Sequence, residues 1–363
     1  MTCQRVINSR VEWKIRIPAS LMGRLGETRL SFMLFLGAGA SKEFDIPLFN
    51  EIAEKFLVVD MKGKHRERME RIKKELDQVG FQSDIENYIS YARGQLKPRE
   101  TLLAMNPFVS YFVYRARRRR LGGDLSAKDF VDELEEYIYD SFLVRELDKK
   151  TRILSHYDRF LKFLEDKYCQ GAAFEADIFT TNYDDIIEFY SEERVLDLFD
   201  GFNETADGMS YFAPELYGVH QIRLYKLHGS VRLGIVKEDD SNNTAVIHSK
   251  KRIGIGELYK EKWRVIERMM LLGYDKEISR EPCFELLRLM KEKLMLTKTC
   301  IAIGYSFGNF PILGIFKDVL NHRGEDFELV ILSESADEIK SSKFPDDKRV
   351  RALKNSFSEF GKI

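Results

Sequence analysis

The chain has 363 residues, of which 44% are hydrophobic and 32% are charged, with 23 glycines and 8 prolines. This composition is typical of a globular protein and excludes disordered, fibrous and low-complexity chains. The formal net charge is −1, so the chain lacks the excess of basic residues that is typical of a protein that binds nucleic acid non-specifically. No apolar run approaches the roughly 18 to 20 residues of a membrane span, and the N-terminal residues show no hydrophobic signal segment. We therefore predict a cytoplasmic protein without membrane association.

The first predicted element is a strand over residues 32–36, Phe-Met-Leu-Phe-Leu, an apolar run that Gly37 stops. Such a run is typical of a strand buried on both faces of a parallel sheet. A helix should follow after Pro47, because apolar residues recur there at helical spacing. The turn between them, Gly-Ala-Gly-Ala-Ser over 37–41, lets backbone N–H groups approach a phosphate, although the same string is also common as a simple tight turn.

A helical insertion is predicted next, because residues 59–150 are rich in long charged side chains with helical periodicity. It contains a positive cluster, Arg115 and Arg117 to Arg120, that can bind nucleic-acid phosphates. The balanced net charge favours a different interpretation, in which the cluster is a solvated helix face or a subunit contact. Nucleic acid is therefore not excluded as a partner.

Strand-like runs return after residue 170, and each ends in small or polar residues. The turns that follow these runs are Thr-Asn-Tyr-Asp at 181–184, His-Gly-Ser at 228–230, Gly-Tyr-Ser-Phe-Gly at 304–308, and Ser333. Strands that alternate with helices predict an α/β fold, a Rossmann-like parallel sheet with helices on both faces. Residues 231–255 are predicted to form a hairpin excursion. Because ligands bind beyond the carboxyl ends of parallel strands, the turns should converge on one cleft.

Together these turns resemble the sirtuin family of NAD-dependent enzymes, over roughly residues 30–58 and 175–335. GAGASKEFDIPLFN at 37–50 is similar to the sirtuin phosphate loop, and TTNYD at 180–184 to the Asn-Asp turn of the family. His228-Gly229 is similar to the catalytic histidine turn, and GYSFG at 304–308 to the late Gly-x-Ser turn. We accordingly divide the chain into a sirtuin-like NAD-binding Rossmann domain (25–58 and 151–340), the helical insertion (59–150) and a C-terminal tail (341–363).

The resemblance implies that NAD is the substrate, and it assigns roles to ten residues. Asn182 would orient the ribose or the attacking water, and His228 would act as general base. The cofactor-binding residues would be Gly37, Ala38, Gly39 and Ser41 around the pyrophosphate, Phe49 over the nicotinamide ribose, Asp184 at the carboxamide, and Gly304 and Ser306 along the adenosine half. Taken alone, Asn182 can also be a helix cap, and His228 a core histidine.

Two departures from the family pattern bear on the reaction. The four-cysteine zinc module of deacetylating sirtuins is missing, since only Cys283 and Cys300 follow His228, and no CxxC pair occurs. The family's Ile-Pro-x-Phe-Arg segment ends here in Asn50. The chain therefore resembles most closely the zinc-less prokaryotic sirtuin-like NADases of antiviral defence, which implies an NAD+ glycohydrolase that depletes NAD in antiphage defence, with no zinc and no metal site.

Two other functions remain open. The chain can be a non-catalytic subunit that binds NAD or ADP-ribose and regulates a HerA-type ATPase or an Argonaute-like partner. It can also be an NAD-dependent deacetylase or ADP-ribosyltransferase. Because unchecked NAD hydrolysis would harm a host, we predict a homo-oligomer with a low basal rate and a trigger supplied by oligomerisation or by a partner.

Overall fold

The structure is a computed structural model, and it describes residues 32–59, 66–78, 85–96, 124–169, 174–205, 209–249, 251, 253–260, 262–272 and 282–357. The predicted arginine cluster, Arg115 to Arg120, lies outside the described residues, as does Cys3. The strands are β1 (Phe32–Leu36), β2 (Ala176–Thr180), β3 (Leu198–Phe199), β4 (Phe202–Glu204), β5 (Ser210–Phe212), β6 (Ile222–Lys226), β7 (Gly229–Glu238), β8 (Thr244–His248), β9 (Leu258–Lys260), β10 (Trp263–Met270), β11 (Thr299–Ile303), β12 (Glu328–Leu332) and β13 (Val350–Leu353).

Ten α-helices are described. They are α1 (Ala38–Lys42), α2 (Phe49–Val59), α3 (Arg66–Gln78), α4 (Ile85–Leu96), α5 (Asp124–Ser141), α6 (Leu147–Leu164), α7 (Ile186–Arg194), α8 (Cys283–Leu296), α9 (Phe310–His322) and α10 (Ala336–Lys343). A π-helical turn follows α6 at Glu165–Cys169, and a 3₁₀ helix spans Pro214–Val219. Within the described part of the chain, none of the helices combines the length and the apolar character needed to span a membrane.

The main sheet has seven strands in the order β13-β12-β11-β1-β2-β6-β3, and every neighbouring pair is parallel. All five residues of β1 are buried, as its uninterrupted apolar sequence predicts. Successive side chains of a strand point to opposite faces, so Phe32 and Leu34 enter one core while Met33 and Phe35 enter the other.

A layer of helices covers each face of the sheet. On one face α2, α6 and α7 supply buried apolar side chains, and on the other α8, α9 and α10 do so. Helices α3, α4 and α5 lie within the range predicted as a helical insertion, and their apolar residues join the first of these cores. The predicted fold class, a Rossmann-like parallel sheet with helices on both faces, is confirmed.

The predicted hairpin excursion over 231–255 is also confirmed, since β7 and β8 pair antiparallel. The excursion is larger than predicted, because β10 and β9 extend it into a four-stranded sheet in the order β8-β7-β10-β9. Strand β7 begins at Gly229, directly after the histidine turn. The smaller sheet therefore begins at the edge where the predicted site residues are found.

The C-terminal range 341–363 is not a tail throughout, which corrects our prediction. Residues 350–353 form β13, which pairs with β12 in parallel register from Leu329 and Val350 to Leu332 and Leu353. The sequence did not predict this strand because it lies at the edge of the sheet. Of its four residues only Val350 is buried, and Arg351 is exposed, so the strand lacks a continuous apolar run.

Candidate functional site

The predicted turns form a row along the carboxyl edge of the main sheet. Ser333 follows β12, Gly304 follows β11, Gly37 follows β1, Thr181 follows β2, and Leu227 with His228 follows β6. Because these five strands are consecutive neighbours about 4.8 Å apart, the row extends over roughly 19 Å. A dinucleotide laid across the strands fits this arrangement.

A cavity of about 380 Å³ lies along this row, a volume in the range of small-molecule sites. Nine of the ten predicted site residues line it: Ala38, Gly39, Ser41, Phe49, Asn182, Asp184, His228, Gly304 and Ser306. The tenth, Gly37, contributes its carbonyl oxygen to the hydrogen bonds of Asn182. The structure therefore brings the predicted residues together, although the chain separates Gly37 from Asn182 by 145 positions.

The side-chain amide of Asn182 has a fixed orientation. Its Nδ2 donates to the carbonyl oxygen of Gly37 and to Ser41 Oγ, both at 2.9 Å. A carbonyl oxygen only accepts hydrogen bonds, so the nitrogen and not the oxygen of the amide must face Gly37. The amide oxygen Oδ1 is the acceptor that remains for a hydroxyl group or a water. Asn182 is not a helix cap, because the N-cap of α7 is Asp185.

Ser41 connects this amide to a buried carboxylate. Its Oγ accepts from Asn182 and donates to Asp184 Oδ2 at 2.7 Å, while Asp184 Oδ1 accepts from the N–H of Ile186 at 3.3 Å. Burial raises the pKa of Asp184, and the charge of Lys226 acts in the opposite direction. The hydrogen bonds therefore run in one sense, from Asn182 through Ser41 to Asp184, and hold all three side chains.

Two buried ions lie behind this turn. Lys226 Nζ donates to the carbonyl oxygen of Asp184 and lies 3.1 Å from Glu188 Oε1. Both side chains are less than a tenth exposed. The lysine thus fixes the backbone of the Asn-Tyr-Asp turn from inside the protein.

The glycine turn of β1 packs directly against the turn after β11. The N–H groups of Gly37 and Gly39 donate to the carbonyl oxygens of Ile303 and Gly304, each at 2.9 Å. Gly304 has φ +61°, and a Cβ atom placed on it would lie 2.2 Å from the nitrogen of Ala40. Close contact between two turns therefore requires glycine here. The Gly39 N–H, which we predicted to approach a phosphate, is engaged by Gly304 in this structure.

Replacing Gly304 with alanine is expected to destabilise the fold and weaken binding in the cavity. The left-handed conformation alone costs a non-glycine residue about 1–2 kcal/mol, and the Cβ would also push the glycine turn away from β11. Chemical denaturation and calorimetric titration with ADP-ribose measure the two effects.

Gly314 supplies the control for this substitution. It lies in α9, where an added Cβ meets nothing within 4 Å. Gly314→Ala should therefore leave the protein equally or more stable, because alanine is the better helix former. Equal stability of Gly304→Ala and the wild-type protein would contradict the packing argument.

His228 lies at one end of the row, in a turn that hydrogen bonds hold on both sides. Its carbonyl oxygen accepts from Leu271 N at 2.9 Å, and the neighbouring Leu227 N donates to Thr180 O at 2.9 Å. Gly229 adopts φ +85°, and a Cβ there would lie 2.0 Å from the carbonyl oxygen of Met269. The His228 side chain is mostly buried but lines the cavity, so it is not sealed inside the core.

Residues 176–354 match the model of a family described as the SIR2-like domain. The match begins at β2 and includes the turns around Asn182, His228 and Gly304. It leaves out β1 and the glycine turn, which the structure places between β11 and β2 in the middle of the same sheet.

The whole chain is similar in structure to several solved proteins. A Sir2 homologue in complex with ADP-ribose shows 14% identity and a TM-score of 0.40, with 91% of this chain and 88% of that chain covered. A Sir2 homologue in complex with NAD shows 14% identity and a TM-score of 0.38, covering 95% and 91%. Sir2 bound to an acetylated peptide shows 13% identity and a TM-score of 0.39, covering 95% of each chain. The comparison with curated proteins gave no match.

Several residues around the cavity received no individual role in the sequence analysis. Ser333, Ser335 and Ile339 line the end of the row opposite His228, and Phe142 lines the cavity from the end of α5. A signal existed for Ser333, because it follows a buried strand as the other site residues do. No local pattern distinguishes Phe142 from an ordinary core residue.

The structure describes three of the four cysteines. Cys283 and Cys300 are buried, and Cys169 is partly exposed. Burial raises the pKa of Cys300, which keeps that thiol protonated. Within the described ranges, no group of three or more His, Cys, Asp and Glu residues is placed to hold a metal ion.

Proposed function

We propose that this chain is an NAD+ glycohydrolase, which cleaves the bond between nicotinamide and ribose and releases nicotinamide and ADP-ribose. One observation carries the proposal: the Asn182 amide, oriented by Gly37 and Ser41, lies in the same cavity as the side chain of His228. The SIR2-like match over residues 176–354 supports NAD as the substrate.

The chemistry of NAD explains why an amide and an imidazole suffice. Nicotinamide is already cationic in NAD, so it leaves as a neutral molecule when the electron pair of the carbon–nitrogen bond returns to its ring. The site has to direct a nucleophile more than it has to supply an acid. Asn182 Oδ1 accepts a hydrogen bond from the attacking water. His228 accepts the proton that the water loses as its oxygen bonds to the ribose carbon.

The other cavity residues bind the substrate in this proposal. Ser306 and Gly304 line the adenosine half, Phe49 covers the nicotinamide ribose, and Ala38 lies at the pyrophosphate. Gly39 contributes room for the pyrophosphate and not a donor, because its N–H is bonded to Gly304.

In this proposal the main role of Ser41 and Asp184 is to orient Asn182. Their hydrogen bond holds the Ser41 hydroxyl group, which in turn accepts from the Asn182 amide. A carboxylate has lone pairs for more than one donor at each oxygen. Asp184 can therefore also accept a hydrogen bond from the nicotinamide carboxamide.

The same proposal includes a biological role. The chain would deplete NAD in antiphage defence, as a homo-oligomer or with an ATPase or Argonaute-like partner, and the helical insertion would serve assembly or activation. The support for this role is the motif resemblance of the glycine turn and the Asn-Tyr-Asp turn. The proposal also includes the division of the chain into a Rossmann domain (25–58 and 151–340) and a helical insertion (59–150).

A test begins with purified full-length protein and NAD, with nicotinamide and ADP-ribose quantified by chromatography. We expect the two products in equal amounts, and no release above background from the double variant Asn182→Ala/His228→Ala. Release that requires an acylated peptide would establish a deacetylase instead. ADP-ribose binding without any release of nicotinamide would establish a regulatory binding protein.

A further inference from the structure

The cavity has an aromatic wall at its His228 end. The rings of Phe49, Phe142 and Tyr183 pack together, with centroids 5.5 Å apart for Phe142 and Tyr183 and 5.8 Å apart for the other two pairs. All three residues line the cavity. The ring of Tyr183 also lies 6.4 Å from that of His228, so the wall adjoins the proposed general base.

Of these three rings, Phe142 alone comes from outside the turns of the sheet edge. It follows directly after α5, in the range predicted as the helical insertion, and it is 6% exposed. The remaining two belong to the segments after β1 and β2. The insertion therefore reaches into the site and completes its wall.

Hydrogen bonds and a stacked cation hold Phe142 in place. The next segment is tied to the site, because the N–H of Val144 donates to Asp185 Oδ1 at 3.0 Å. On the other side, Tyr139 in the last turn of α5 accepts from Ile253 N at 2.8 Å, and the Arg268 guanidinium lies 4.0 Å over its ring. A ring anchored on both sides does not move aside at small cost, because buried side chains are closely packed.

The polar chemistry of the wall does not supply a nucleophile. Tyr183 Oη donates to the carbonyl oxygen of Leu271 at 2.6 Å, and burial raises its pKa well above the ordinary value. The phenol thus stays protonated and bonded within the protein. The aromatic rings at this end act by their size.

We infer that Phe142 determines acceptor specificity: its ring limits the group that attacks the ribose carbon to water and very small alcohols, and excludes a bulky side chain or alcohol. This inference rests on the proposed function for its reaction. In that reaction the acceptor oxygen bonds to the ribose carbon, the bond to nicotinamide breaks with its electrons on nicotinamide, and the acceptor proton passes to His228. When methanol replaces water, the same bonds form and break, and the product is the methyl glycoside of ADP-ribose.

The first measurement needs no turnover. Calorimetric titration compares ADP-ribose with its O-benzyl glycoside in the wild type and in Phe142→Ala. We expect the wild type to discriminate against the benzyl compound, and the variant to improve its relative affinity by about tenfold or more, since the size of an apolar pocket sets discrimination of this order. Unchanged relative affinity in a folded variant would overturn the inference.

The second measurement uses turnover. With NAD in a mixture of methanol and benzyl alcohol, the ratio of benzyl to methyl glycoside should rise about tenfold or more in Phe142→Ala. This ratio does not depend on the overall rate. A ratio equal to that of the wild type would contradict a steric role for the ring.

Two further variants keep the outcome interpretable. Because loss of a buried ring destabilises a core, Phe142→Leu provides a milder change, with an effect of the same sign and smaller size. Ile339→Ala enlarges the cavity at its opposite end and should leave both ratios unchanged. If the wild type releases no nicotinamide while Phe142→Ala gains affinity for the benzyl glycoside, the proposed function fails, and of the inference only the steric limit set by the Phe142 ring stands. If no protein binds ADP-ribose, both fail.

Discussion

Replacing His228 with alanine is expected to lower nicotinamide release by about 10²–10⁴-fold, the usual contribution of a general base. The affinity for ADP-ribose should stay nearly unchanged, because the imidazole acts on a proton that moves only during the reaction. The backbone of the turn does not depend on this side chain, since Leu271 N and Gly229 fix it. Steady-state rates of nicotinamide release and calorimetric titration with ADP-ribose separate the two quantities.

The pH dependence gives an independent check on the same residue. A general base works in its neutral form, so the wild-type rate should fall as acidification protonates the imidazole. The residual activity of His228→Ala should lack this acidic limb. His322→Ala is the matched control, because His322 is an exposed histidine at the far end of α9, and it should retain the full rate and pH profile. An acidic limb that persists in His228→Ala would assign the base to another group.

Local signals were sufficient to place the ends of the five strands whose turns form the row. An apolar run that stops at a glycine or polar residue is visible in the chain itself, as at 32–37 and 300–304. The row of turns then follows from the general rule that ligands bind beyond the carboxyl ends of parallel strands. The resemblance to sirtuins added the identity of individual side chains, including Asn182 and His228.

The rest depended on contacts that no local pattern encodes. Lys226 lies within the strand-like run that precedes His228, but its role arises from Glu188, 38 positions earlier on α7. Phe142 reaches the cavity because the packing of Tyr139 against β10 and the hydrogen bond from Val144 to Asp185 fix the chain on both sides of it. A lysine within a buried strand is a signal that an ion partner exists, although its identity requires the tertiary structure.

The contact made by the glycine turn likewise could not be predicted from the sequence. Its small residues predicted a close approach of the backbone, which the structure confirms. The partner of that approach is the protein itself, because Gly39 and Gly304 contact each other and share a hydrogen bond. The sequence thus predicts that a glycine permits a close approach of the backbone, but only the tertiary structure shows which group approaches it.

Replacing Lys226 with methionine is expected to lower the free energy of unfolding by about 3–5 kcal/mol at neutral pH, the usual cost of breaking a buried ion pair from one side. The pair with Glu188 is 3.1 Å long and both side chains are less than a tenth exposed, so solvent screens it little. Without the cation, the buried carboxyl groups of Glu188 and Asp184 either carry a charge that Lys226 no longer offsets or take up a proton, and both alternatives cost free energy. Denaturant unfolding monitored by fluorescence measures the loss.

The size of this effect should depend on pH. Burial already raises the pKa of both Glu188 and Asp184, and Lys226 lowers it. Removal of the lysine raises both pKa values further, so the folded variant binds protons more tightly than the unfolded chain. Its stability therefore falls as the pH rises through these values. The difference between variant and wild type should be largest at neutral pH and should shrink under mildly acidic conditions, where the two carboxyl groups are neutral.

Two comparisons separate a buried charge from a general loss of packing. Lys226→Met combined with Glu188→Gln should recover much of the stability, because it removes the unpaired carboxylate. Lys262→Met breaks an exposed pair with Glu238 and should change stability little. A loss for Lys226→Met that is as small as this control, or independent of pH, would contradict the buried-charge account. Because Lys226 also donates to the Asp184 carbonyl, the single variant should bind ADP-ribose more weakly through a displaced Asn-Tyr-Asp turn.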